Sequence, residues 1–409
     1  MSQDTGHSTG AAQERIEVPG ASVERVHRPA EVSELSSLLA ERYARSEGVL
    51  VCGGRTRLDF ANRARRLSAA LSLDALSGVD VFEPDEGVVH ARAGTPIRAL
   101  QAVVAAEGWE LPLDPPGAAT TVGGAIASAS MGPRSQAFGR VADAVLGLEL
   151  VGADGTVSKC GGRVVKNVTG YDMAKLYTGS FGSLAVVTGA WLRLRPQPAC
   201  RETLVGRIGR DRESFERIRE LAWTSSVRAC VWSEAPGAAE AEILVELSSS
   251  EAGLRHDREL LARACDFESA APDAIDRLRD ARTHAASGEP IGIRARVVAT
   301  RLDELRRIFL EAGFAVSIDP GLGIVTARGG GRESAGDRVC RADRASLLRL
   351  REQAIACGGH ASFEWLPAMG YEALDVFGEA PGTRSLVAAL KERFDPRQIL
   401  NPGRFVAGT

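Results

Sequence analysis

Apolar residues in the first quarter of the chain recur alternately at helical and at strand spacing. An apolar face behind Pro29 predicts a helix over about 30–46, and its members are Val32, Leu35, Leu38 and Leu39. Short apolar runs predict strands at 49–51, 69–73, 79–82 and 88–92. Thr95-Pro96 predicts the start of another helix, with the threonine as its cap.

The pattern changes twice further along the chain. Glycine is unusually dense between 112 and 190, where apolar runs predict strands at 144–151 and 184–194. After about 200, strands and helices alternate. The predicted strands lie at 202–208, 228–233, 241–247 and 291–299, and the predicted helices at 211–223, 251–265, 301–312 and 343–357. A last helix is predicted at 384–394, with Leu386, Leu390 and Phe394 on one face, and the polar residues 1–17 predict a disordered leader.

Composition is that of an ordinary globular protein. The 409 residues favour two domains, and the 44% of hydrophobic and 25% of charged residues are typical of a soluble chain. The net charge of -3 leaves no basic surplus for nucleic-acid phosphates. No run approaches the roughly 20 apolar residues of a membrane-spanning helix, and the polar N-terminus has no secretory apolar core. We therefore expect a cytoplasmic protein without a transmembrane segment.

The seven cysteines lie apart, at 52, 160, 200, 230, 265, 340 and 357. No CxxC cluster occurs, so we expect reduced thiols rather than a zinc site, an iron–sulfur site or a disulfide framework. The six histidines include no pair at ligand spacing, so no metal site is predicted. His360 is the histidine in a plausible loop context, whereas Glu364 and Trp365 are interpreted as packing and solvent-facing residues.

The first segment with candidate chemistry is an apolar strand that runs into two glycines, from Leu50 to Thr56. Gly53-Gly54 let the backbone turn sharply. Successive N–H groups in such a turn form an anion-binding concavity, to which Arg55 and Thr56 can add donors. A plain strand–loop turn is the alternative. The pattern is neither GxGxxG nor GxxxxGK[ST], so neither a Rossmann nor a P-loop site is predicted.

Two further glycine-rich segments follow. Within 113–134, Thr121 is a candidate cap and Gly123-Gly124 open a helical turn of small residues. The exposed N–H groups of such a turn suit a pyrophosphate or a ring carbonyl, with close helix–sheet packing as the alternative. Within 161–188, polar residues crowd around glycines before a strand resumes, and a bound cofactor would satisfy the backbone groups of such a loop.

In their order and spacing these segments resemble the FAD-binding domain of the vanillyl-alcohol oxidase/PCMH flavoprotein superfamily. With Gly132-Pro133-Arg134, the stretch 162–172 and the tail from Phe394 to Arg404, the chain is similar to the FAD-binding E subunits of bacterial glycolate oxidases. The resemblance covers about 20–198 and 384–405. It implies an α+β fold: a PCMH-type FAD-binding domain at 18–198 with subdomains divided near 114, a smaller α+β cap domain at 199–383, and a segment 384–409 that returns to the FAD domain.

The resemblance also implies which residues hold FAD, while no catalytic residue is assigned. The segment from Val51 to Thr56 would wrap the pyrophosphate, and Asn401 would return to the flavin. The full implied set is Val51, Cys52, Gly53, Gly54, Arg55, Thr56, Pro116, Thr121, Gly123, Gly124, Gly132, Arg134, Asn167, Gly170, Tyr171, Asp172, Gly182, Val187 and Asn401. The first loop carries Arg55-Thr56 where related oxidases attach FAD through a histidine, so we expect non-covalent FAD. Ala129, Phe181 and Ala185 also depart from the residues common at these places in the family.

The function implied by the resemblance is that of an FAD-dependent oxidoreductase. The chain would be the FAD-binding subunit of a 2-hydroxy-acid (glycolate) dehydrogenase or oxidase, working beside a larger FAD-linked subunit. Electrons would pass from the substrate through flavin to a partner with iron–sulfur clusters, in the cytoplasm or at the inner membrane through those partners. Two alternatives stay open. One is a self-sufficient oxidase of an alcohol or sugar acid, which needs a general base near the flavin, and the other is a non-catalytic assembly subunit that has lost FAD.

Overall fold

The computed structural model of the chain describes residues 14–163, 171–283, 290–329, 343–367, 372, 374–379 and 381–409. Within these residues, helices and strands are numbered in chain order. The helices are α1 (Val32–Arg45), α2 (Ile97–Ala105), α3 (Val122–Ser128), α4 (Ser135–Phe138), α5 (Val141–Ala144), α6 (Met173–Tyr177), α7 (Arg212–Leu221), α8 (Glu251–Leu261), α9 (Ala274–Asp280), α10 (Leu302–Glu311), α11 (Arg344–Ala356) and α12 (Pro381–Phe394). The strands are β1 (Ile16–Val18), β2 (Ala21–Val23), β3 (Val26–His27), β4 (Gly48–Cys52), β5 (Leu67–Ser72), β6 (Val79–Glu83), β7 (Val88–Arg92), β8 (Trp109–Glu110), β9 (Val145–Val151), β10 (Val157–Gly161), β11 (Val186–Arg193), β12 (Arg195–Pro196), β13 (Cys200–Ile208), β14 (Val227–Glu234), β15 (Ala241–Ser249), β16 (Phe267–Ser269), β17 (Ile291–Arg296), β18 (Ala315–Asp319), β19 (Ile324–Gly329) and β20 (His360–Trp365).

Strands β1 to β12 form the sheets of the first domain. β3, β5 and β4 make a parallel three-stranded sheet, and an antiparallel five-stranded sheet has the order β10-β9-β11-β7-β6. One apolar core joins both sheets to α1, whose Leu35 and Leu39 are fully buried. Ser46, in a left-handed conformation, ends that helix. The strands and the first helix predicted for this part of the chain are confirmed.

The five-stranded sheet takes strands from both sides of residue 114. β7 pairs with β11 from Val88↔Arg193 to Arg92↔Gly189, and β6 pairs with β7. Chain segments far apart in sequence therefore complete one another's backbone hydrogen bonds. The division into subdomains expected near 114 does not coincide with a division between sheets.

The second domain is built on the largest sheet, whose eight antiparallel strands have the order β16-β13-β15-β14-β18-β19-β17-β20. One face of the sheet carries an apolar core under α7, α10 and α11, in which Trp232, Phe215 and Phe309 are fully buried. The helices α7, α8 and α11 begin where a side chain accepts a backbone N–H; these caps are Asp211, Ser250 and Asp343. The predicted α+β fold is confirmed.

The segment after α12 returns to the first domain beside β4. The N–H of Val49 donates to the carbonyl of Ile399 (2.7 Å), and the N–H of Asn401 donates to the carbonyl of Val49 (2.9 Å). The C-terminal residues thereby occupy the open edge of the parallel sheet, next to the strand that leads into Gly53-Gly54.

A buried ion pair anchors this C-terminal segment to the interior of the first domain. The ammonium of Lys391 donates to the Asp395 carboxylate (2.7 Å) and to the carbonyls of Ser183 and Leu400 (both 2.8 Å), and its side chain is only 1% exposed. Asp395 also accepts the N–H of Leu400. Because each ammonium proton has an acceptor, the pair is tolerated away from water.

Three local predictions are corrected by the structure. Ile16 and Val18 lie buried in β1, so the disordered leader does not extend to 17, while 1–13 lie outside the described residues. Thr95 does not cap α2: Pro96 precedes the helix, and Thr95 Oγ1 bonds the backbone of Gly78 instead. Leu386 is 62% exposed, so it does not share the buried face of α12.

The Lys391–Asp395 pair gives a direct test of how the C-terminal segment is held. We expect Lys391→Met to lower the free energy of unfolding by about 3–5 kcal/mol, because it leaves the buried Asp395 carboxylate without its cation. Guanidinium denaturation followed by circular dichroism measures the loss. Lys175→Met is the matched control, since Lys175 forms an exposed pair with Asp172 and should change stability little. Equal stabilities for the two variants would contradict the assignment.

Candidate functional site

A cleft opens in the first domain where two loops and the C-terminal segment meet. It holds about 630 Å³ of space, part of it open to solvent. Its walls are residues 50–58, Thr121 and the α3 residues Gly124, Ala127 and Ser128, together with Phe181, Asn401 and Arg404. Space of this size, walled by backbone and by apolar side chains, is typical of small-molecule sites.

The loop after β4 lines this cleft with unpaired backbone donors. Among the described residues, the N–H groups of Gly53, Gly54, Arg55 and Thr56 have no hydrogen-bond acceptor. Arg55 has a φ of 59°, which is uncommon for a residue with a side chain. A left-handed residue within such a turn makes successive N–H groups converge into a concavity for anions. The loop therefore has the chemistry of a phosphate cradle.

Gly53 and Gly54 allow the two loops of the cleft to touch. A Cβ on Gly54 would lie 1.6 Å from the carbonyl oxygen of Ala119, and a Cβ on Gly53 would lie 2.3 Å from Thr121 Oγ1. Their small size thus allows the first loop to pack against the second. Thr56 strengthens the same contact through a 2.8 Å hydrogen bond between the hydroxyls of Thr56 and Thr120.

Gly123 and Gly124 at the start of α3 differ in what faces them. A Cβ on Gly123 would lie 2.8 Å from Ala93 Cβ, inside the domain. A Cβ on Gly124 would meet only Thr121 Oγ1, at 3.1 Å, and Gly124 lines the cleft. Of the two glycines, Gly124 is therefore the one whose side-chain position opens into the cleft.

Asn401 hydrogen-bonds both to the strand that leads into the first loop and to Phe181 in the wall of the cleft. Its Oδ1 accepts the N–H of Val51 (2.8 Å), and its Nδ2 donates to the carbonyl of Phe181 (2.7 Å). Both ends of the amide are occupied, so Asn401 fixes the width of the cleft. Phe181 stands in an aromatic cluster with Phe60, Phe377 and Phe405 at centroid distances of 5.2–5.4 Å, which makes this wall apolar.

The second domain reaches the cleft through an ion pair. Arg57, a cleft residue, donates to both carboxylate oxygens of Glu364 on β20. Burial alone would raise the pKa of Glu364, but the guanidinium of Arg57, with those of Arg294 and Arg282, holds that pKa below its usual value. Glu364 and Trp365 are both buried, at 3% and 2% exposure, so neither is the solvent-facing residue that the sequence suggested.

Arg294 lies on the same face of the second domain's sheet, one strand from Glu364. It stands opposite Thr326 of β19 and Ser362 of β20, so the three side chains share a face. Its Nη1 donates to the carbonyl of Met131 in the first domain (3.2 Å). Among the described residues no carboxylate pairs with this guanidinium, and the hydroxyl of buried Thr326 has no hydrogen-bond partner.

The neighbouring cation on that face is already neutralised. Arg282 donates to both carboxylate oxygens of Asp319 (2.6 and 2.8 Å) and to the hydroxyl of Ser317 (2.8 Å). Of these two arginines, Arg294 is thus the one without a carboxylate hydrogen-bond partner among the described residues, and the unpaired hydroxyl of Thr326 lies on the opposite strand.

Arg134 has a different role from the predicted one. Its guanidinium is shared among the carboxylates of Glu246 (2.7 Å), Asp276 (2.8 Å) and Asp114 (3.4 Å), two of which belong to the second domain. Every N–H of the guanidinium is engaged. Arg134 therefore joins the domains and has no donor for a cofactor. Gly132 lies in the same region, where a Cβ would sit 2.4 Å from the carbonyl oxygen of Asp114.

The structure brings part of the predicted set together at the cleft, namely Val51, Cys52, Gly53, Gly54, Arg55, Thr56, Thr121, Gly124 and Asn401. Gly182 adjoins them, 3.0 Å from Asn401 Nδ2 when a Cβ is placed on it. Pro116, Gly123 and Val187 are not among the residues that line the cleft.

The predicted loop at 167–172 does not supply wall residues among its described members. Tyr171 is 94% exposed, and Asp172 caps α6 by accepting the N–H of Lys175. Asn167 and Gly170 lie outside the described residues. The wall residues Arg57, Ala127 and Ser128 were not predicted from the sequence, although Arg57 directly follows the predicted loop. Arg404, which also lines the cleft, was predicted only as part of the C-terminal motif.

Other candidate chemistry is limited in the described ranges. There, no group of three or more His, Cys, Asp and Glu side chains could hold a metal ion. In the same residues no helix combines the length and the apolar character needed to cross a bilayer. His360 Nε2 lies 2.5 Å from the carbonyl oxygen of Phe377, a contact within the second domain.

Comparisons with known proteins agree with this geometry. Residues 23–161 match a family described as an FAD binding domain. The chain is 39% identical to the glycolate oxidase subunit GlcE of Escherichia coli (strain K12) over 30% of this chain and 35% of that protein. It is 34% identical to a D-lactate dehydrogenase of Archaeoglobus fulgidus over 42% and 39% of the two chains. The matches thus span well under half of these two relatives.

Two longer matches are more distant. The glycolate oxidase subunit GlcD of Bacillus subtilis (strain 168) is 25% identical over 92% of this chain and 87% of that protein. Among solved structures, alkyldihydroxyacetonephosphate synthase superimposes with a TM-score of 0.66 at 13% identity, over 93% of this chain and 77% of that one. At this identity the likeness shows the shared fold.

The cleft fits FAD on three observations: a row of unpaired N–H groups for the diphosphate, the open space in front of Gly124, and an apolar wall at Phe181. Residues 50–58, Thr121, Gly124 and Asn401 would surround the cofactor. The expected cofactor is confirmed: residues 23–161 form an FAD-binding domain of the PCMH type, and the chain is a flavoprotein related to FAD-dependent oxidoreductases.

Proposed function

We propose that this chain is the flavin-binding subunit of a 2-hydroxy-acid dehydrogenase, with glycolate as the type of substrate. The observation that carries the proposal is the contact between the FAD cleft and the charged face of the second domain, made through Arg57 and Glu364. When bound, FAD accepts two electrons from the alcohol carbon of such an acid. The protein contributes binding, orientation and charge.

Arg294 and Thr326 are proposed to hold the substrate carboxylate. A guanidinium binds a carboxylate through parallel N–H donors, and Arg294 has no carboxylate partner of its own among the described residues. The buried hydroxyl of Thr326 gains a partner when a ligand oxygen lies beside it. Glu364, held ionised by Arg57, places a negative charge nearby that disfavours a second acidic group at that position.

The electrons are proposed to leave through a partner subunit. The related GlcE and GlcD proteins are named as subunits of glycolate oxidase, which supports a multi-subunit assembly for this chain. The described cysteines, at 52, 160, 200, 230, 265 and 357, are free and scattered, which favours an iron–sulfur carrier on another polypeptide.

Gly124→Leu tests the cleft. The leucine side chain would occupy the space in front of α3, so we expect FAD affinity to fall by about 10²–10³-fold, equivalent to about 3–5 kcal/mol. FAD bound per chain in the monodisperse fraction, and the gain in melting temperature on adding FAD, are the measurements.

Gly123→Leu is the matched control for that variant. Its side chain would meet Ala93 inside the domain, so it should destabilise the apoprotein rather than block the cofactor. A folded Gly124→Leu protein with stoichiometric flavin would mean that the cleft is not the cofactor site.

The FAD should be bound without a covalent link. No histidine lines the cleft among the described residues. Cys52 lines it as a thiol whose pKa is raised by burial, so the attacking thiolate is scarce. Acid precipitation should leave the flavin in the supernatant. Yellow protein in the pellet would refute this, and its loss in Cys52→Ser would identify the attachment point.

Arg294→Gln tests the proposed carboxylate site by binding alone. Oxalate, which resembles glycolate but cannot be oxidised at an alcohol carbon, should perturb the flavin absorption spectrum of the holoprotein. We expect its dissociation constant to rise about 10–100-fold in Arg294→Gln. Arg296→Gln is the control, because Arg296 is exposed at the end of the same strand. Unchanged oxalate binding in a flavin-loaded Arg294→Gln protein would remove Arg294 from the site.

The purified holoprotein distinguishes this function from its rivals. We expect glycolate to bleach the flavin band anaerobically and the reduced protein to be reoxidised faster by an electron-accepting dye than by oxygen. Rapid reoxidation by oxygen would instead indicate a self-sufficient oxidase. Purified protein that carries no FAD would instead indicate the non-catalytic assembly subunit.

A further inference from the structure

Helix α9 of the second domain contacts both ends of the second glycine-rich segment of the first domain. Asp276 pairs with Arg134 (2.8 Å), and Arg279 pairs with Asp114 (2.6 Å). At the end of the same helix, Asp280 reaches the loop between Asp114 and α3. The helix therefore lies against the segment that forms one wall of the FAD cleft, although α9 itself contributes no residue to that wall.

Asp280 makes the contact that is closest to the cleft. Its Oδ1 accepts the backbone N–H of Gly117 (3.0 Å) and the Nε of Arg279 (3.0 Å), and its Oδ2 pairs with Arg98 of α2. One carboxylate of the second domain is thus bound by a backbone donor and a side chain of the first. A charged acceptor makes such a backbone hydrogen bond stronger than a neutral one would.

Gly117 transmits this contact to the first FAD loop. It has a φ of 94°, and a Cβ on it would lie 2.7 Å from Thr56 Cβ, so the Thr56 side chain lies directly against the Gly117 backbone. Thr120 reinforces the loop by donating to the carbonyl of Pro116 (2.7 Å) and by bonding the hydroxyl of Thr56 (2.8 Å). Thr56 lines the cleft. The loop that contains Gly117 and Thr120 therefore connects Asp280 to the cleft residue Thr56.

We propose that Asp280 is a positioning residue through which the second domain sets the geometry of the FAD cleft. The inference rests on the assignment of that cleft to FAD. Asp280 accepts the N–H of Gly117 and so holds the Gly117 backbone in place. Gly117 packs against Thr56 and thereby limits where Thr56 can lie. Thr56 belongs to the loop whose N–H groups would bind the diphosphate. Because binding equilibria are reciprocal, FAD should in turn tighten the contact between the domains.

Two substitutions separate this role from ordinary packing. Asp280→Ala removes the acceptor of the Gly117 N–H, and we expect FAD to bind about 10-fold more weakly. Asp280→Asn keeps an oxygen acceptor, so its FAD affinity should stay within about threefold of the unsubstituted protein. The affinity is measured by the change in flavin fluorescence on titrating apoprotein, beside the melting temperature of each apoprotein.

Asp273→Ala is the matched control. Asp273 precedes the same helix, and its one ion pair among the described residues is with the exposed Arg277 of that helix, so its removal should leave FAD affinity unchanged. If Asp280→Ala fails to fold, Arg98→Gln is the milder variant, because Arg98 is half exposed and its loss frees one side of Asp280. We expect about a threefold loss of FAD affinity in that variant.

The outcomes are distinguishable. Weak FAD binding in Asp280→Ala with rescue in Asp280→Asn supports the positioning role. Unchanged affinity in Asp280→Ala, or an equal loss in Asp280→Ala and Asp280→Asn that follows a fall in apoprotein melting temperature, would overturn it. Absence of FAD binding by the unsubstituted protein would overturn the cofactor assignment itself.

Discussion

The arrangement of the two domains depends on how the buried guanidinium of Arg134 is paired. It lies between Asp114 of its own domain and Glu246 and Asp276 of the other, and all these groups except Asp276 are almost fully shielded from water. A buried charge is tolerated only when it is paired and hydrogen-bonded, so the second domain can dock in few orientations. The observed one sets α9 against the loop of Gly117 and the charged sheet face against the cleft.

The cleft proposed to hold FAD is assembled from segments that are distant in the chain, and separate contacts hold these segments together. The first loop packs against Ala119 and Thr121, and Asn401 of the C-terminal segment accepts a hydrogen bond from the N–H of Val51. The buried Lys391–Asp395 ion pair anchors the C-terminal segment. Among the described residues, the N–H groups at 53–56 have no protein acceptor. They line the cleft where the FAD diphosphate is proposed to lie, so the cofactor would supply acceptors that the protein does not.

Local signals in the sequence located two of the three predicted loops at the cleft, but not the residues that contact each other across it. Glycine pairs after an apolar run located the first loop and the start of α3, because a sharp turn or a close approach requires them. The same signal could not tell Gly123 from Gly124, since only the three-dimensional neighbour of each decides its role. Arg134 and Glu364 were misjudged for the same reason: their partners lie far away in sequence, at 246 and 57. Strands β18 to β20 lie beyond the last predicted strand because their apolar runs are short and interrupted by polar residues of the charged face.

Amide hydrogen exchange of the segment 50–58, with and without FAD, shows directly whether the cofactor binds at the first loop. We expect fast exchange in the apoprotein at the amides of Gly53 to Thr56, which have no acceptor among the described residues, and strong protection once FAD is bound. Exchange at α8, which lines no part of the cleft, serves as the internal reference. If saturating FAD leaves the exchange of 53–56 unchanged, the cofactor is held elsewhere and the assignment of the cleft is wrong.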